Sequence, residues 1–306
     1  PFIYYNVSSW NKHNGIHIHN SDFSTVQGNF LGIDSHNSGA TPNLNGLKIS
    51  GTSRNTAVGG IIPLGNVIAG NKYNGIYLTD DVNGFESVNT FCGLKAFGKQ
   101  LPNNSDGILI DSNVTNIKLN TNVISGNNGN GLNIRGNANA ILITNNIIGL
   151  DTAGSFPLPN TLNGIKISEN ASNIIDGGSI PSVISQNTIS SNQGVGILLE
   201  NNVRAVLLLA TTIGLAINQK DFFPNRNGGV YIKDKVHECE FGDSFNFVYV
   251  YDRDNFAIKL DEHTHNNIIT YCFINVNEQL NSVVHKENIV DLSNDNFIYG
   301  NALPVD

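Results

Sequence analysis

The chain has 306 residues, a formal charge of -8 and only 14% charged residues, with three cysteines and no methionine. So acidic and arginine-poor a composition excludes the basic stripe that nucleic-acid binding requires. No apolar run is long enough to span a bilayer, no signal-peptide pattern opens the chain, and the cysteine spacing matches no metal motif.

In chain order, one pattern returns ten times: Asn-Gly-apolar-x-apolar or a close variant. It begins at Asn14, Asn45, Asn74, Asp106, Asn130, Asn163, Val195, Gly228, Phe256 and Asn288. The spacing is about 30 residues, the period of a solenoid. In each copy one variable residue separates two apolar ones, so a strand of period two turns the pair inward and the variable residue outward. Ile16 with Ile18, Ile76 with Leu78 and Ile165 with Ile167 are such pairs. A second signal, Asn-x-apolar, follows in each repeat: Asn29, Asn66, Asn122, Asn146 and Asn187 open it, with Thr90, Thr211, Cys239, Cys272 and Asn301 in the same slot elsewhere. A short strand often precedes it, as at Ile141-Leu142-Ile143.

No repeat holds enough apolar residues to close a core alone, so successive coils must stack. Stacking in register produces continuous Ile/Leu/Val ladders and an amide ladder at a bend. Helical alternatives fail because apolar residues recur at i, i+2, and because about 50 asparagines and 31 glycines favour turns over helices. The fold predicted is an all-β, right-handed parallel β-helix of about ten coils. It forms a single domain over residues 1–306, regular over 1–235 and degenerate over 236–306, about 48 Å long at ~4.8 Å per coil.

Two turn types alternate. The longer carries Gly-apolar-Asp and a later Pro-Asn, as at Gly32-Ile33-Asp34 with Pro42-Asn43 and at Gly149-Leu150-Asp151 with Pro159-Asn160; weaker versions start at Gly93 and Gly214. The shorter is seen at Gly70-Asn71 and Gly126-Asn127. Long loops are therefore expected to project from one edge on every second coil.

The stretch NVISGNNGNGLNI … ITNNIIGLDTAGSFPLPNTLNGIKIS at 122–168 resembles the right-handed parallel β-helix repeats of pectate-lyase-like and bacterial surface proteins. The likeness covers 14–235 well and 236–306 loosely. It implies the fold and leaves function open, since that architecture hosts polysaccharide lyases, glycosidases, phage tailspikes, adhesins and structural viral proteins.

Both ends cut a repeat: Asn6 to Ile16 superimposes on Asn66 to Ile76, and Asn301-Ala302-Leu303 begins an unfinished coil. With no capping pattern and no methionine, a segment of a longer polypeptide is expected. Cys239 and Cys272 align to one slot on adjacent coils, as a stacked pair of buried thiols or as a strained disulfide. Asn6, Asn103, Asn113 and Asn170 form N-x-Ser/Thr sequons, which an Asn-rich chain produces by chance.

A β-helix enzyme would build its site on one outward ladder. The residue between the inward pair runs His17, Lys48, Tyr77, Leu109, Asn133, Lys166, Leu198, Tyr231, Lys259 and Asp291. The residue after the pair runs His19, Ser50, Thr79, Asp111, Arg135, Ser168, Glu200, Lys233, Asp261 and Ser293. Glu200 and Asp261, two coils apart at ~9.6 Å, suit an inverting glycosidase pair tuned by Lys233. The same row also reads as an opposite-charge ladder that only stabilises stacking.

Other candidates are Asp80-Asp81 as a calcium turn, His17/His19 and His263/His265 as metal ligands, and Asp34 and Asp151 as turn caps; in each, the structural reading is the simpler one. No polygalacturonase or calcium-dependent pectate-lyase motif is present. The run Phe245, Phe247, Tyr249, Tyr251, with Phe241 before it, reads as core thickening toward the C-terminal end, or else as a contact surface.

The expected function is that of a non-catalytic structural or attachment rod of a virion or cell surface, within a larger assembly. A polysaccharide lyase or glycoside hydrolase with Glu200, Lys233 and Asp261 is the alternative. A carbohydrate-binding module using Tyr77 and Tyr231 is a third. Expected partners are other structural proteins or surface glycans; no nucleic acid, cofactor or metal is expected.

Overall fold

The computed structural model describes residues 1–61, 63–96, 98–176, 187–252, 254–275, 287–293 and 295–301. Among them the chain winds through three parallel sheets. Sheet 1 has eleven strands, from Phe2–Tyr4 to Phe297–Ile298. Sheet 2 has ten, from Val7–Ser8 to Cys272–Ile274, and sheet 3 has ten, from Ile16–His19 to Glu287–Asp291. Each strand pairs with the equivalent strand of the coil before and the coil after, as expected of a parallel β-helix.

The inward rows are legible in the burial. Leu47, Ile76, Ile108, Leu132, Ile165, Ile197, Val230 and Ile258 stack in register along sheet 3, nearly all without solvent exposure, and join the rows of sheets 1 and 2 in one continuous core. The glycine of the Asn-Gly motif has a steric reason. A Cβ at Gly164 would lie 2.4 Å from Ile189 Cγ2 and 2.6 Å from the carbonyl oxygen of Gly196 on the next coil. Only a residue without a side chain lets the coils close to strand spacing at that corner.

One amide ladder was expected, and four are present. At the bend between sheets 1 and 2, Asn6, Asn29 and Asn66, and then Asn122, Asn146 and Asn187, hand hydrogen bonds from coil to coil at 2.8–3.1 Å, with Thr90 interrupting. At the corner between sheets 2 and 3 an unbroken ladder of eight joins Asn11, Asn43, Asn71, Asn103, Asn127, Asn160, Asn192 and Asn225. The Pro-Asn of the long turns and the Gly-Asn of the short turns are thus the same structural position. A third ladder runs through the motif residues Asn14, Asn45, Asn74, Asp106, Asn130 and Asn163. A fourth, on the surface, runs from Asp81 through Asn113, Asn137 and Asn170 to Asn202. The sequon Asn103 is fully buried in the second ladder.

The alternation of long turns is present, and the loops do more than project. Antiparallel bridges Ile33 to Ala40, Leu94 to Gln100, Leu150 to Pro157 and Leu215 to Phe222 close one excursion on every second coil. Loops two coils apart then touch: Ala96 N donates to Asn37 Oδ1, Lys95 to the Ser38 carbonyl, and Ile217 N to the Gly154 carbonyl at 3.1 Å. Gly98 also lies beside Thr152, so the loops form a fin along one edge.

Three expectations fail in the degenerate coils. Cys239 flanks sheet 1 and donates its N–H to Asn267 Oδ1, whereas Cys272 lies in sheet 2 beside Val248, so the two are not stacked; all three cysteines are free and buried. Burial pushes the thiols of Cys239 and Cys272 up to about 12. The last sheet 3 strand is shifted by one residue: Val290, not Asp291, pairs with Lys259, and Asp291 pairs with Leu260. Ser293 is accordingly not the neighbour of Asp261. A slip of one residue exchanges the faces of a strand. The aromatic run is not core thickening either. Phe241 is in the core, but Val248 and Val250 supply the inward positions, and Phe245, Phe247 and Tyr249 face outward. Phe247 and Tyr249 pack on Phe273 at 5.4 and 4.9 Å, and Tyr251 is buried against Phe222 at 4.3 Å.

Candidate functional site

The sheet 3 strands Ile197–Leu199, Val230–Ile232 and Phe256–Leu260 place Glu200, Lys233 and Asp261 just past their last inward residues, on successive coils. Glu200 is gripped from both sides: Lys166 Nζ reaches Oε1 at 2.8 Å and Lys233 Nζ reaches Oε2 at 3.0 Å. Lys166 comes from the central outward position of the preceding coil, a partner that reading each row separately does not find. Burial opposes ionisation of Glu200, yet the two ammonium donors outweigh it and hold the carboxyl below its ordinary value. Lys233 is raised, first by its bond to Glu200. It also contacts Asp234 at 3.3 Å. Asp261 joins neither partner; its Oδ2 accepts from the Tyr231 hydroxyl at 3.4 Å.

The three residues are therefore neighbours along one row, with Glu200 tied to lysines on both sides and Asp261 outside that ion pair. A general acid needs a carboxyl whose pKa is raised toward the working pH. Glu200 is shifted the other way, and both its oxygens are occupied by cations. The row is an ion ladder, and Arg135 with Asp111 at 2.8 Å is a second instance.

Tyr77 and Tyr231 face outward in the central row. Lys48 Nζ sits 5.2 Å from the Tyr77 ring centre, and Lys259 Nζ sits 5.1 Å from that of Tyr231. Each ring is thus already engaged in a cation–π contact. Burial and then Asp261 raise the Tyr231 hydroxyl.

The remaining candidates resolve into local structure. Asp80 Oδ2 accepts the Gly51 N–H at 2.8 Å, and Asp81 Oδ1 accepts Asn113 Nδ2 at 3.0 Å, so the acidic turn is spent on neighbouring coils. His17 and His19 both reach Ser50 Oγ, at 2.8 and 3.0 Å. His263 contacts Glu262, while His265 stacks on His237 instead. Asp34 accepts N–H bonds from His36, Ser38 and Gly39, and the Ser38 hydroxyl above all lowers it to about 2. Asp151 caps its turn through Ser155 and Phe156. Among the described residues no three His, Cys, Asp or Glu side chains converge on a point where a metal ion would sit.

A groove of about 790 Å³, not anticipated from the sequence, lies over sheet 2. Its floor is the outward row Phe30, Val67, Phe91, Val123 and Ile147, with Ala96 and Thr152 of the fin loops among its walls. No lining residue is charged. The signal for it was present: from Asn29 to Asn146 the residue before the inward apolar residue of each unit is itself apolar, whereas Thr188 and Thr212 follow in the next two.

The model of the family described as "Right handed beta helix region" matches residues 64–245. No curated protein sequence matches the chain. Among solved structures, the A-module of the mannuronan C-5 epimerase AlgE6 of Azotobacter vinelandii is similar over 100% of this chain and 76% of its own, with a TM-score of 0.58 and 15% identity. An alginate lyase from Paenibacillus sp. str. FPU-7 aligns over 95% and 99% with a TM-score of 0.32 and 9% identity, too low to carry an argument. With three parallel sheets, in-register apolar and amide ladders and a family model spanning well over half of its length, this chain belongs to the right-handed β-helix family.

Proposed function

We propose that the protein is a non-catalytic β-helical rod, a structural or attachment element of a virion or cell surface that works within a larger assembly. The observation that carries this reading is the state of Glu200: buried, clamped by Lys166 and Lys233, and held ionised. Such a group contributes to stacking and lacks the proton that the general acid of polysaccharide cleavage must supply. The uncharged groove over sheet 2 fits the same reading, since it offers a contact surface without an acid or a base.

The alternative is carbohydrate-active. The fold likeness to an enzyme named for mannuronan supports it at the level of architecture. A binding module without turnover fits this alternative better than an enzyme, because the groove has an aromatic and aliphatic floor bordered by Asn89 and Asn145, and neither a carboxylate nor a histidine lines it.

The deciding experiment is incubation with a panel of neutral and acidic polysaccharides, read by reducing-end release, by ultraviolet absorbance of unsaturated products and by NMR of uronate C-5 configuration. No product above background is expected. Turnover by the natural chain that disappears in Glu200→Gln would overturn the architectural reading.

A further inference from the structure

The surface asparagine ladder borders a trough of about 440 Å³ lined by Asn137, Asn139, Asn170, Ser172, Asn202, Arg204 and His237. Two rows run along it. One is the ladder itself, in which each internal asparagine gives one N–H and accepts one bond, so that one amide donor and one lone pair per coil remain for an outside partner. The other is the in-register row Asn139, Ser172 and Arg204, continued by the bridges from Arg204 to His237 and from His237 to His265.

Past Asn202 and Arg204 both rows turn basic. Lys235 precedes His237 by two residues, as Asn202 precedes Arg204, and the rings of His237 and His265 stack at 5.0 Å with 2° between their planes. His237 Nδ1 lies 3.1 Å from the Lys235 carbonyl, which leaves Nε2 for another partner. Stacking does not explain this arrangement. Along the outward rows of sheet 3, Lys166, Glu200 and Lys233 on adjacent coils alternate in sign and pair. Here Arg204, His237 and His265 follow one another in register with no acid between them. Among the described residues, none of Arg204, Lys235, His237 and His265 forms an ion pair. The acids near them in sequence, Asp234, Glu238, Glu240 and Glu262, do not reach them; Asp234 is bound to Lys233 and Glu262 to His263.

We infer that this end of the trough is an oxyanion-binding site. Arg204 and His237 would hold a sulfate or phosphate group, Lys235 would add charge, His265 would back the His237 ring, and the free amide positions of Asn137, Asn170 and Asn202 would receive the hydroxyl groups of a polymer bearing it. An arginine fork with neighbouring N–H donors matches the oxygens of such a group, and the amide spacing of one per coil suits a repeating polyhydroxylated chain. The inference goes beyond the architectural reading and does not depend on it.

Calorimetric titration with a heparin-derived hexasaccharide, its desulfated counterpart and inorganic sulfate tests the site. The sulfated hexasaccharide is expected to bind and the desulfated one not to. The double change Arg204→Gln with His237→Asn is expected to weaken binding about tenfold or more. Arg204→Lys should recover part of the loss, since it keeps the charge without the fork, and Lys72→Gln at another corner should change nothing. All four side chains are at least partly exposed, so an unchanged far-ultraviolet spectrum will certify the variants. Inorganic sulfate binding as tightly as the hexasaccharide supports the site and assigns it to the free anion. Absence of binding, equal binding of the desulfated sugar, or equal weakening by Lys72→Gln overturns it.

Discussion

Asp252 shows most directly how one side chain departs from the rule set by its neighbours. It sits where the eight-membered asparagine ladder stops, fully buried, with Oδ1 accepting from Asp254 and Asn255 and Oδ2 without a hydrogen-bond partner among the described residues. Burial raises its carboxyl to about 6, against an ordinary 3.8. The folded state therefore holds this proton more tightly than the unfolded state. Its contribution to stability is complete below about pH 4 and is lost as pH rises through about 6, by roughly 1–3 kcal/mol. Asp252→Asn should remove that pH dependence and raise the urea midpoint at pH 7.5; an unchanged difference in stability between pH 5 and pH 7.5 would refute the assignment. Asn127 predicts the opposite outcome. Its amide gives hydrogen bonds to Asn160 Oδ1 and the Cys92 carbonyl and accepts one from Asn103. Asn127→Ala leaves buried groups unpaired on both sides and should cost about 3 kcal/mol in chemical unfolding.

At the scale of the elements, the sequence is explicit wherever turns are punctuated by Asn and Gly. The motif glycines mark a corner where coils meet backbone to backbone, so Gly164→Ala, which drives a methyl group into Ile189 and the Gly196 carbonyl, should destabilise by about 3 kcal/mol. A thermal midpoint within error of the natural chain's would show that the corner relaxes. The strand pairs, the alternating loops and the inward rows were all readable, because period-two patterning and turn chemistry agree there. Past residue 236 that agreement ends. At the last sheet 3 strand the repeat pattern reads Val290 and Leu292 as the inward pair, but the strand takes the register that sets Ile289 against the core and Val290 outward, with Asp291 beside Leu260. Cys239 resembled a ladder residue only because nearby turns lack the Asn and Gly that fix the slot. The Lys166–Glu200 contact was illegible for another reason: it is diagonal, joining a central outward residue to a terminal one on the next coil, and only side-chain reach decides it. The groove and the basic end of the trough likewise arise from rows that no single repeat contains.

Among the described residues, strand pairing between coils joins each coil to its immediate neighbours, and fin loops two coils apart add to it. Stability in such a stack is close to a sum of local coil terms and neighbour interfaces. Its parts consequently need not melt together. Trp10, the single tryptophan, lies in the first coil with 75% of its surface exposed, so its fluorescence reports that coil alone. Urea unfolding followed by tryptophan emission should run ahead of the loss of β signal in circular dichroism. Coincident curves would indicate one cooperative unit and contradict the additive picture.

The direction of the amide ladders carries a further consequence. In the two ladders that flank sheet 2, the amide-to-amide hydrogen bonds all run from N–H to oxygen toward the C-terminal coil, as from Asn29 to Asn66 and from Asn127 to Asn160, while the second N–H of each reaches back to a carbonyl of the preceding coil. In the motif ladder and the surface ladder every N–H points the other way: Asn74 donates to Asn45, and Asn170 to Asn137. Aligned amides within one column add head to tail, as peptide units do along a helix. Two columns pointing up and two pointing down largely cancel, and Asp81, with its negative charge, stands at the N–H end of the surface column. The stack can thus lengthen coil by coil without building an electric polarity that grows with its length.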